Sequence, residues 1–237
     1  MPALPILVHL SSSLAGRTML GRTEPGRAPG RSAPGRGRRR RGFRPALLAA
    51  LAAPSIAAAA PASAQSARYE IDPEHLSIGF MAEHLGYAKV LGLFRTAKGG
   101  FEFDEKTATL GNVRIEIETA SVFTNHRKRD DHLKGPDFLN SGEYPKMTFT
   151  AASARRSGER DFVVDGRLEL LGKTAPVQLQ ARWNKSAEYA FGTFRKPYVI
   201  GISARGSFKR SAFGMNYGLE WVGDDVDLIV EFEAQRR

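Results

Sequence analysis

The chain has 237 residues, a formal net charge of +10 and no cysteine, which excludes disulfide staples, thiol catalysis and cysteine-ligated metal sites. The basic charge lies in residues 1–64, which contain ten arginines and one acid; of the chain's 35 basic and 25 acidic residues, 25 and 24 remain for residues 65–237. This balanced remainder gives no reason to expect a nucleic-acid partner.

Residues 1–64 have the composition of an export signal with a disordered basic leader. Arg38–Arg44 is cationic, Pro45–Ala60 is a short apolar stretch, and small residues precede Gln65, which suits cleavage near Ala64. The apolar stretch is too short for a membrane anchor.

We therefore expect an exported mature domain at residues 65–237. Arg40-Arg41 resembles a twin-arginine motif, so the twin-arginine route and ordinary secretion both stay open. The mature part is long enough for one domain with a sizeable core.

The first half of this domain consists of short alternating segments separated by turn signals. In the clearest of them, apolar Ile115 and Ile117 alternate with charged Glu116 and Glu118, the period of a strand with one buried face. The expected strands are Arg68–Asp72, Leu76–Leu85, Lys89–Phe94, Gly99–Phe103 and Leu110–Glu118.

A polar stretch at 125–140 interrupts the alternation. Arg127–Leu133 has no period of two and would form one or two helical turns, which Gly135-Pro136 would end. The pattern therefore predicts a short helical crossover that caps one end of a sheet or barrel.

The second half returns to strands, with a hairpin at Gly172-Lys173 and a long aromatic loop at Ser186–Pro197. Short connections favour antiparallel pairing, and a long sheet with so many apolar faces must fold over or close. We predict an all-β fold, an antiparallel barrel of about eight strands rather than a sandwich. The expected strands are Met147–Ser153, Asp161–Leu171, Thr174–Trp183, Tyr198–Arg210 and Asp225–Ala234.

A closed barrel would turn a set of apolar side chains inward. These would either fill the interior as an ordinary core, which the residues alone favour, or surround one slender apolar ligand. The expected inward residues are Ile78, Phe80, Phe94, Ile115, Phe149, Leu168, Leu179 and Ile202.

The polar crossover allows several interpretations. His126, Asp130 and His132 would suit a metal, but no HExxH-type spacing is present, and a hydrolytic triad would lack a G-x-S-x-G elbow. We expect instead that Arg129, Asp130 and His132 form a structural hydrogen-bonded network, with Arg210 as a further member. In the functional alternative, an arginine or a histidine meets an anionic head group at the barrel mouth.

The stretch RDDHLKGPDFLNSGEYPKMTF (129–149) resembles the signature of the YceI-like family, bacterial lipocalin-like barrels that bind polyisoprenoid lipids. Further matching pieces lie in order along nearly the whole mature domain. They are Tyr69–Asp72 with His75, Ser77, Phe80, His84 and Leu85; Gly92 and Phe94; Gly166, Leu168, Leu170–Thr174 and Pro176-Val177; Arg210–Gly214; and Val222–Val226. The resemblance implies a lipocalin-like barrel in the periplasm, with an apolar tunnel for a long isoprenoid such as a polyprenyl phosphate or a quinone.

We therefore expect a lipid-binding protein without catalysis or cofactor. The rival hypotheses are a lipid-acting hydrolase or isomerase that uses the His/Asp crossover, and a ligand-free structural stress protein. The aromatic loop at 186–197 would allow transient contact with a membrane surface, and an exposed edge strand would allow a homodimer. The expected ligand-binding residues are Ile78, Phe80, His84, Phe94, Ile115, Arg129, His132, Phe138, Phe149, Leu168, Leu179, Ile202, Arg210 and Phe213.

Overall fold

The computed structural model describes residues 66–191 and 196–237, so the expected export signal and its cleavage site lie outside the described residues. The described part contains eleven strands, one α-helix (α1, Arg127–Lys134) and two 3₁₀ helices (Thr119–Ser121 and Arg210–Phe213). The strands are β1 (Ala67–His84), β2 (Ala88–Phe94), β3 (Ala97–Asp104), β4 (Thr109–Glu118), β5 (Val122–Phe123), β6 (Lys146–Ser153), β7 (Arg155–Arg156), β8 (Asp161–Leu170), β9 (Lys173–Glu188), β10 (Tyr198–Lys209) and β11 (Val222–Arg236). Within these residues no helix is both long and apolar enough to span a membrane.

Eight of the strands close into an antiparallel barrel. Around the barrel β1 is followed by β3, β4, β6, β8, β9, β10 and β11, and β11 pairs again with β1. The closing ladder includes the pairs Ile78 with Val230 and Phe80 with Leu228. Apart from the closing pair of β11 with β1, each barrel strand therefore lies beside the next barrel strand along the chain. The predicted barrel of about eight strands and its short helical crossover are confirmed.

The barrel's first strand differs from the prediction. Arg68–Asp72 and Leu76–Leu85 were expected as separate strands, but they join in β1. The pairing of β1 with β11 shifts between Ile71 and Leu76, and Pro73, which has no N–H to donate, falls within this irregular stretch. The first part of β1 pairs with β3 and its last part with β2.

Strand β2 has an outer edge that is only partly covered by another strand. β4 continues through the 3₁₀ helix into β5, and β5 pairs with β2 only at Leu93 and Phe94. Within the described residues, the rest of β2, Ala88–Gly92, pairs with β1 on one side and with no strand on the other. The chain after β5 turns into α1 instead of continuing the sheet.

Two connections also differ from the prediction. The β8–β9 turn is Leu171-Gly172, with φ of 52° and 69°, one residue earlier than expected. The expected loop at 186–197 is shorter, because Ser186–Glu188 continue β9 and pair with β10.

Strand directions define two ends of the barrel. The helix end holds α1, the β1–β2 turn at Leu85-Gly86, the β8–β9 turn and segment 214–221. The far end holds the β3–β4 turn at 105–108 and the described ends of the β9–β10 loop.

Candidate binding site

A cavity, here called the tunnel, runs inside the barrel from Phe101 and Leu110 near the far end to Leu133 and Val222 at the helix end. Of the described residues that line it, all except Arg210 are apolar. The tunnel has a volume of about 170 Å³. This small volume extends from near the far end to the helix end, so the tunnel is narrow.

The alternation of the strands brings most of the predicted residues together. Phe138 and Arg210 line the tunnel, together with all eight expected inward residues: Ile78, Phe80, Phe94, Ile115, Phe149, Leu168, Leu179 and Ile202. Phe213 is buried but is not among the lining residues; its ring packs edge-on against Phe208, with 5.4 Å between centroids.

Several lining residues were not singled out from the sequence. Ile117, Leu228, Val230 and Phe232 belong to strands whose alternation already indicated their face. Three others lie outside the strands, where no sequence period indicates an inward position: Leu133 and Leu139 in the crossover, and Met215 in the segment before β11.

Two aromatic rings lie against glycines in the tunnel wall. A Cβ built on Gly92 would stand 2.2 Å from Cζ of Phe80, and one on Gly166 would stand 2.1 Å from Cζ of Phe149. Because each glycine lacks a Cβ, the aromatic ring beside it lies close to the sheet. The ring therefore does not fill the interior of the barrel, and a narrow channel stays open.

The far end is filled by aromatic side chains. The Phe103 ring meets Phe162 and Trp183 edge to face, at centroid distances of 6.0 and 5.1 Å. Phe103 and Phe162 are almost completely buried. These contacts place solid packing beyond Phe101, where the lining of the tunnel ends.

Two tyrosines at the far end donate hydrogen bonds to one carboxylate. The hydroxyls of Tyr69 and Tyr198 donate to Glu105 at 2.8 and 2.9 Å. Burial, and then the hydrogen bond to Glu105, raise the pKa of Tyr69 above its usual range. The same causes, in the same order, raise the pKa of Tyr198. Both phenols therefore stay neutral and hold the β3–β4 turn against the ends of β1 and β10.

At the helix end, α1 is held by a compact polar contact. The His126 side chain caps the helix by accepting from the backbone N–H of Arg129 at 3.3 Å. The buried Asp130 carboxylate accepts from the N–H and hydroxyl of Thr124. Arg129 in turn donates to the hydroxyl and carbonyl oxygens of Thr124, both at 2.8 Å. The predicted link between Arg129 and Asp130 exists, but it passes through Thr124.

His132 was predicted to belong to this hydrogen-bonded network, but in the structure it does not. Its Nε2 lies 2.9 Å from a carboxylate oxygen of Asp137, and its ring meets Phe138 and Tyr217 edge to face. Within the described residues, no group of three or more His, Asp or Glu is arranged to hold a metal ion.

Arg210 is also separate from the expected network and is almost completely buried. Its guanidinium donates to four backbone carbonyls, those of Met215, Tyr217, Val222 and Gly223, at 2.7 to 3.0 Å. Burial lowers its pKa. Four of its five N–H donors are thus used to fix the segment that leads into β11.

A second hollow, here called the mouth, adjoins the tunnel at the helix end. His84, Arg129, His132, Tyr217 and Trp221 contribute to its wall. Its lining shares five residues with the tunnel: Phe80, Ala82, Leu133, Phe138 and Val222. The predicted polar residues therefore gather where the apolar channel reaches the surface.

Residues 69–234 match the family described as the YceI-like domain. The chain belongs to the YceI-like family. Protein YceI of Escherichia coli O17:K52:H18 is 39% identical over 174 residues, which are 73% of this chain and 88% of that protein. The predicted family resemblance is confirmed.

Solved structures share the YceI-like barrel. The Campylobacter jejuni YCEI protein superposes with a TM-score of 0.59 at 29% identity, over 65% of this chain and 90% of its own. A polyisoprenoid binding domain from Saccharophagus degradans, implicated in plant cell wall breakdown, has the same fold at a TM-score of 0.53 and 14% identity, over 73% and 99% of the two chains.

The structure gives physical roles to the YceI-like signature in this chain. Asp130 stabilises the start of α1 through Thr124, and His132 with Phe138 forms one side of the mouth. Gly166 makes room for Phe149 in the tunnel wall, and Arg210 fixes the segment beside the mouth. The signature therefore joins residues that form the open end with residues that shape the interior.

Proposed function

We propose that this YceI-like protein binds a long polyisoprenoid lipid, a polyprenyl phosphate or a quinone-type lipid, in its tunnel and carries, stores or sequesters it in the periplasm without catalysis. The observation that carries the proposal is the apolar tunnel that opens at the mouth. An aqueous metabolite would find one polar side chain on the lining, and the donors of that side chain, Arg210, are bonded to carbonyls.

The energetics favour a slender apolar chain over a compact ligand. Each Å² of apolar surface removed from water contributes about 25 cal/mol, and an extended isoprenoid presents apolar surface along its whole length. The narrow tunnel would enclose such a chain on all sides. The fold shared with the Saccharophagus domain, whose description names polyisoprenoid binding, agrees with this use of the barrel.

The head group would lie at the mouth, where the polar side chains are. His84, Arg129 and His132 line that hollow, and a phosphate there would gain charge-assisted hydrogen bonds from Arg129. Arg210 would act indirectly, because its donors already fix the segment beside the mouth.

Carriage requires that the protein meet a membrane at least briefly, and this contact is part of the proposal. A homodimer also stays a prediction, and the edge of β2 at Ala88–Gly92 would be the place for it. Location in the periplasm stays a prediction, which rests on the expected export signal in residues 1–64 and on the family resemblance.

Substitution at the junction of tunnel and mouth tests the proposal. Ala82 lines both hollows, so Ala82→Trp would obstruct the channel; Met81, its neighbour in β1, points to the outer wall, and Met81→Trp is the matched control. We expect native mass spectrometry after incubation with undecaprenyl phosphate or ubiquinone to show a stoichiometric adduct for the wild type and M81W, and none for A82W. If the wild-type protein, whose channel is not obstructed, took up neither lipid, the proposal would be refuted.

The rival enzyme hypothesis makes a different prediction for His132. If the His132–Asp137 pair were catalytic, His132→Ala would abolish conversion of a bound lipid. In the carrier, H132A changes affinity or stability only, and lipid extracted from the wild type is chemically unchanged after prolonged incubation. Extraction and mass analysis of the lipid distinguish the two.

A further inference from the structure

Exposed apolar side chains are unevenly distributed over this barrel. Nine large apolar side chains of the described residues are exposed, and the one at the far end is Phe191. The other eight lie at the helix end or on the outer wall beside it: Leu85, Tyr87, Leu91, Leu93, Phe123, Tyr217, Leu219 and Trp221. Such a concentration on a soluble surface marks an interaction site.

Backbone contacts join the elements that carry these side chains. The N–H of Leu85 donates to the carbonyl of Trp221 at 2.7 Å, which joins the β1–β2 turn to the segment before β11. From this turn the surface continues down β2 to Leu93, which pairs with Phe123. We call it the rim, because Leu85, Tyr217 and Trp221 also line the mouth.

The backbone at the tip of the rim has an unusual conformation. Leu85 has a φ of 55°, in the left-handed region that a leucine side chain rarely adopts. Leu171, in the matching Leu-Gly turn at the same end, has a φ of 52°, but its side chain packs against the core. The Leu85 side chain is 50% exposed and has no such packing. The fold therefore holds an apolar side chain in solvent at a conformational cost, which points to a contact outside the protein.

We propose that the rim docks on the surface of a lipid bilayer, so that the mouth opens directly onto the membrane. The side-chain types favour a bilayer, since tryptophan and tyrosine concentrate at the interface between lipid head groups and acyl chains, and leucine enters the apolar layer. Tyr87, 88% exposed, and Trp221, 55% exposed, are placed for that depth.

The basic side chains near the rim also favour a lipid bilayer as the partner. Lys128 is exposed in the first turn of α1, the helix that brings Arg129 and His132 to the mouth. Arg127 beside it is also exposed, and its Nε lies 3.8 Å from the Asp131 carboxylate. Cations beside an apolar, aromatic surface attract anionic head groups. The inference rests on the proposed function, and it places membrane contact at the end opposite the aromatic loop that was expected to make it.

The two tryptophans of the chain allow a direct test. In the full chain, Trp183→Phe leaves Trp221 in the rim as the reporter, and Trp221→Phe leaves Trp183 at the far end. Each protein is mixed with vesicles of phosphatidylethanolamine and phosphatidylglycerol that carry brominated acyl chains, which quench tryptophan fluorescence on contact. We expect quenching of Trp221 and none of Trp183, although both proteins share the same basic leader.

A triple variant tests whether the rim causes the binding. Leu85→Asn, which suits the left-handed backbone, is combined with Tyr87→Ser and Leu219→Ser in the Trp183→Phe protein. We expect its vesicle partition to fall about tenfold or more, because three apolar side chains no longer leave water. Phe191→Ser at the far end is the matched control and leaves partition unchanged.

Several results would overturn this inference. They are an unquenched Trp221, equal quenching of Trp183, or equal losses in the triple variant and F191S. A dimer in light scattering that the triple variant abolishes would assign the rim to a second copy of the chain instead. The vesicles contain no isoprenoid, so docking is measured independently of cargo: a lipid adduct without docking refutes the rim alone, whereas docking without any adduct refutes the proposed function alone.

Discussion

The two ends of the barrel close their strands in different ways. At the far end, aromatic rings meet edge to face and two neutral tyrosines share the Glu105 carboxylate, so side chains fill the space. At the helix end, the Arg210 guanidinium binds backbone carbonyls and thereby fixes the segment beside an open mouth. The comparison shows that one continuous sheet can be closed by packed side chains at its far end and stay open at its helix end. The open end depends on a few polar contacts.

The largest effect is expected at Arg210. Arg210→Ala removes the donors of four carbonyl groups and leaves buried carbonyls unpaired, so the free energy of unfolding should fall by about 3–5 kcal/mol in urea titrations. Arg205→Ala is the matched control from the outer wall of β10, the strand that precedes Arg210, where an exposed ion pair with Glu231 contributes at most about 1 kcal/mol. An R210A protein as stable as R205A would show that the helix end does not depend on this contact.

A smaller effect is expected inside the barrel. Gly166→Ala would push the Phe149 ring into the tunnel, and overpacking of this kind costs about 1–3 kcal/mol. The stoichiometric lipid adduct should also weaken in native mass spectrometry. Gly142→Ala, where an added Cβ meets nothing within 4 Å, is the control and should change neither measurement. Unchanged uptake in G166A would mean that the ligand does not pass Phe149.

The smallest effect is expected at the far end. Tyr69→Phe removes one hydrogen bond to Glu105, which keeps that of Tyr198, so the loss of stability should be about 1–2 kcal/mol with no loss of lipid uptake. A large loss of uptake in Y69F would contradict the division of roles between the two ends.

The same tyrosines predict a dependence of stability on pH. Their pKa values in the folded protein are raised above the ordinary value of 10.0, so the folded state keeps protons that the unfolded chain releases. Their contribution is fully present below about pH 10 and is lost as the pH rises beyond it. Urea titrations at increasing alkaline pH should show a falling free energy of unfolding, with a shallower fall in Y69F. Equal slopes would refute the assignment to Tyr69.

Much of the wall of the tunnel was predictable from the sequence. Residues such as Ile115 and Leu179 repeat with the period of a strand, so their common face followed once the barrel was assumed. The merged strand β1 was missed because Pro73 interrupts the local pattern, although the pairing with β11 resumes after it.

The helix end was less predictable because its residues have no period. The sequence indicated a polar network there, but Thr124, which joins Arg129 to Asp130, gave no signal of its own. The partners of Arg210 are carbonyls, which every residue carries, so no sequence motif could identify them. The rim was missed for a similar reason: Leu85 and Trp221 lie 136 positions apart and meet through one backbone hydrogen bond.

The most direct test of the account is a crystal structure of the protein after incubation with undecaprenyl phosphate. The account predicts continuous density for the lipid tail inside the barrel, between Phe80 and Phe149, with the phosphate at the mouth near Arg129 and His132. A tunnel closed by its own side chains, with the lipid absent or bound on the outer wall, would contradict it.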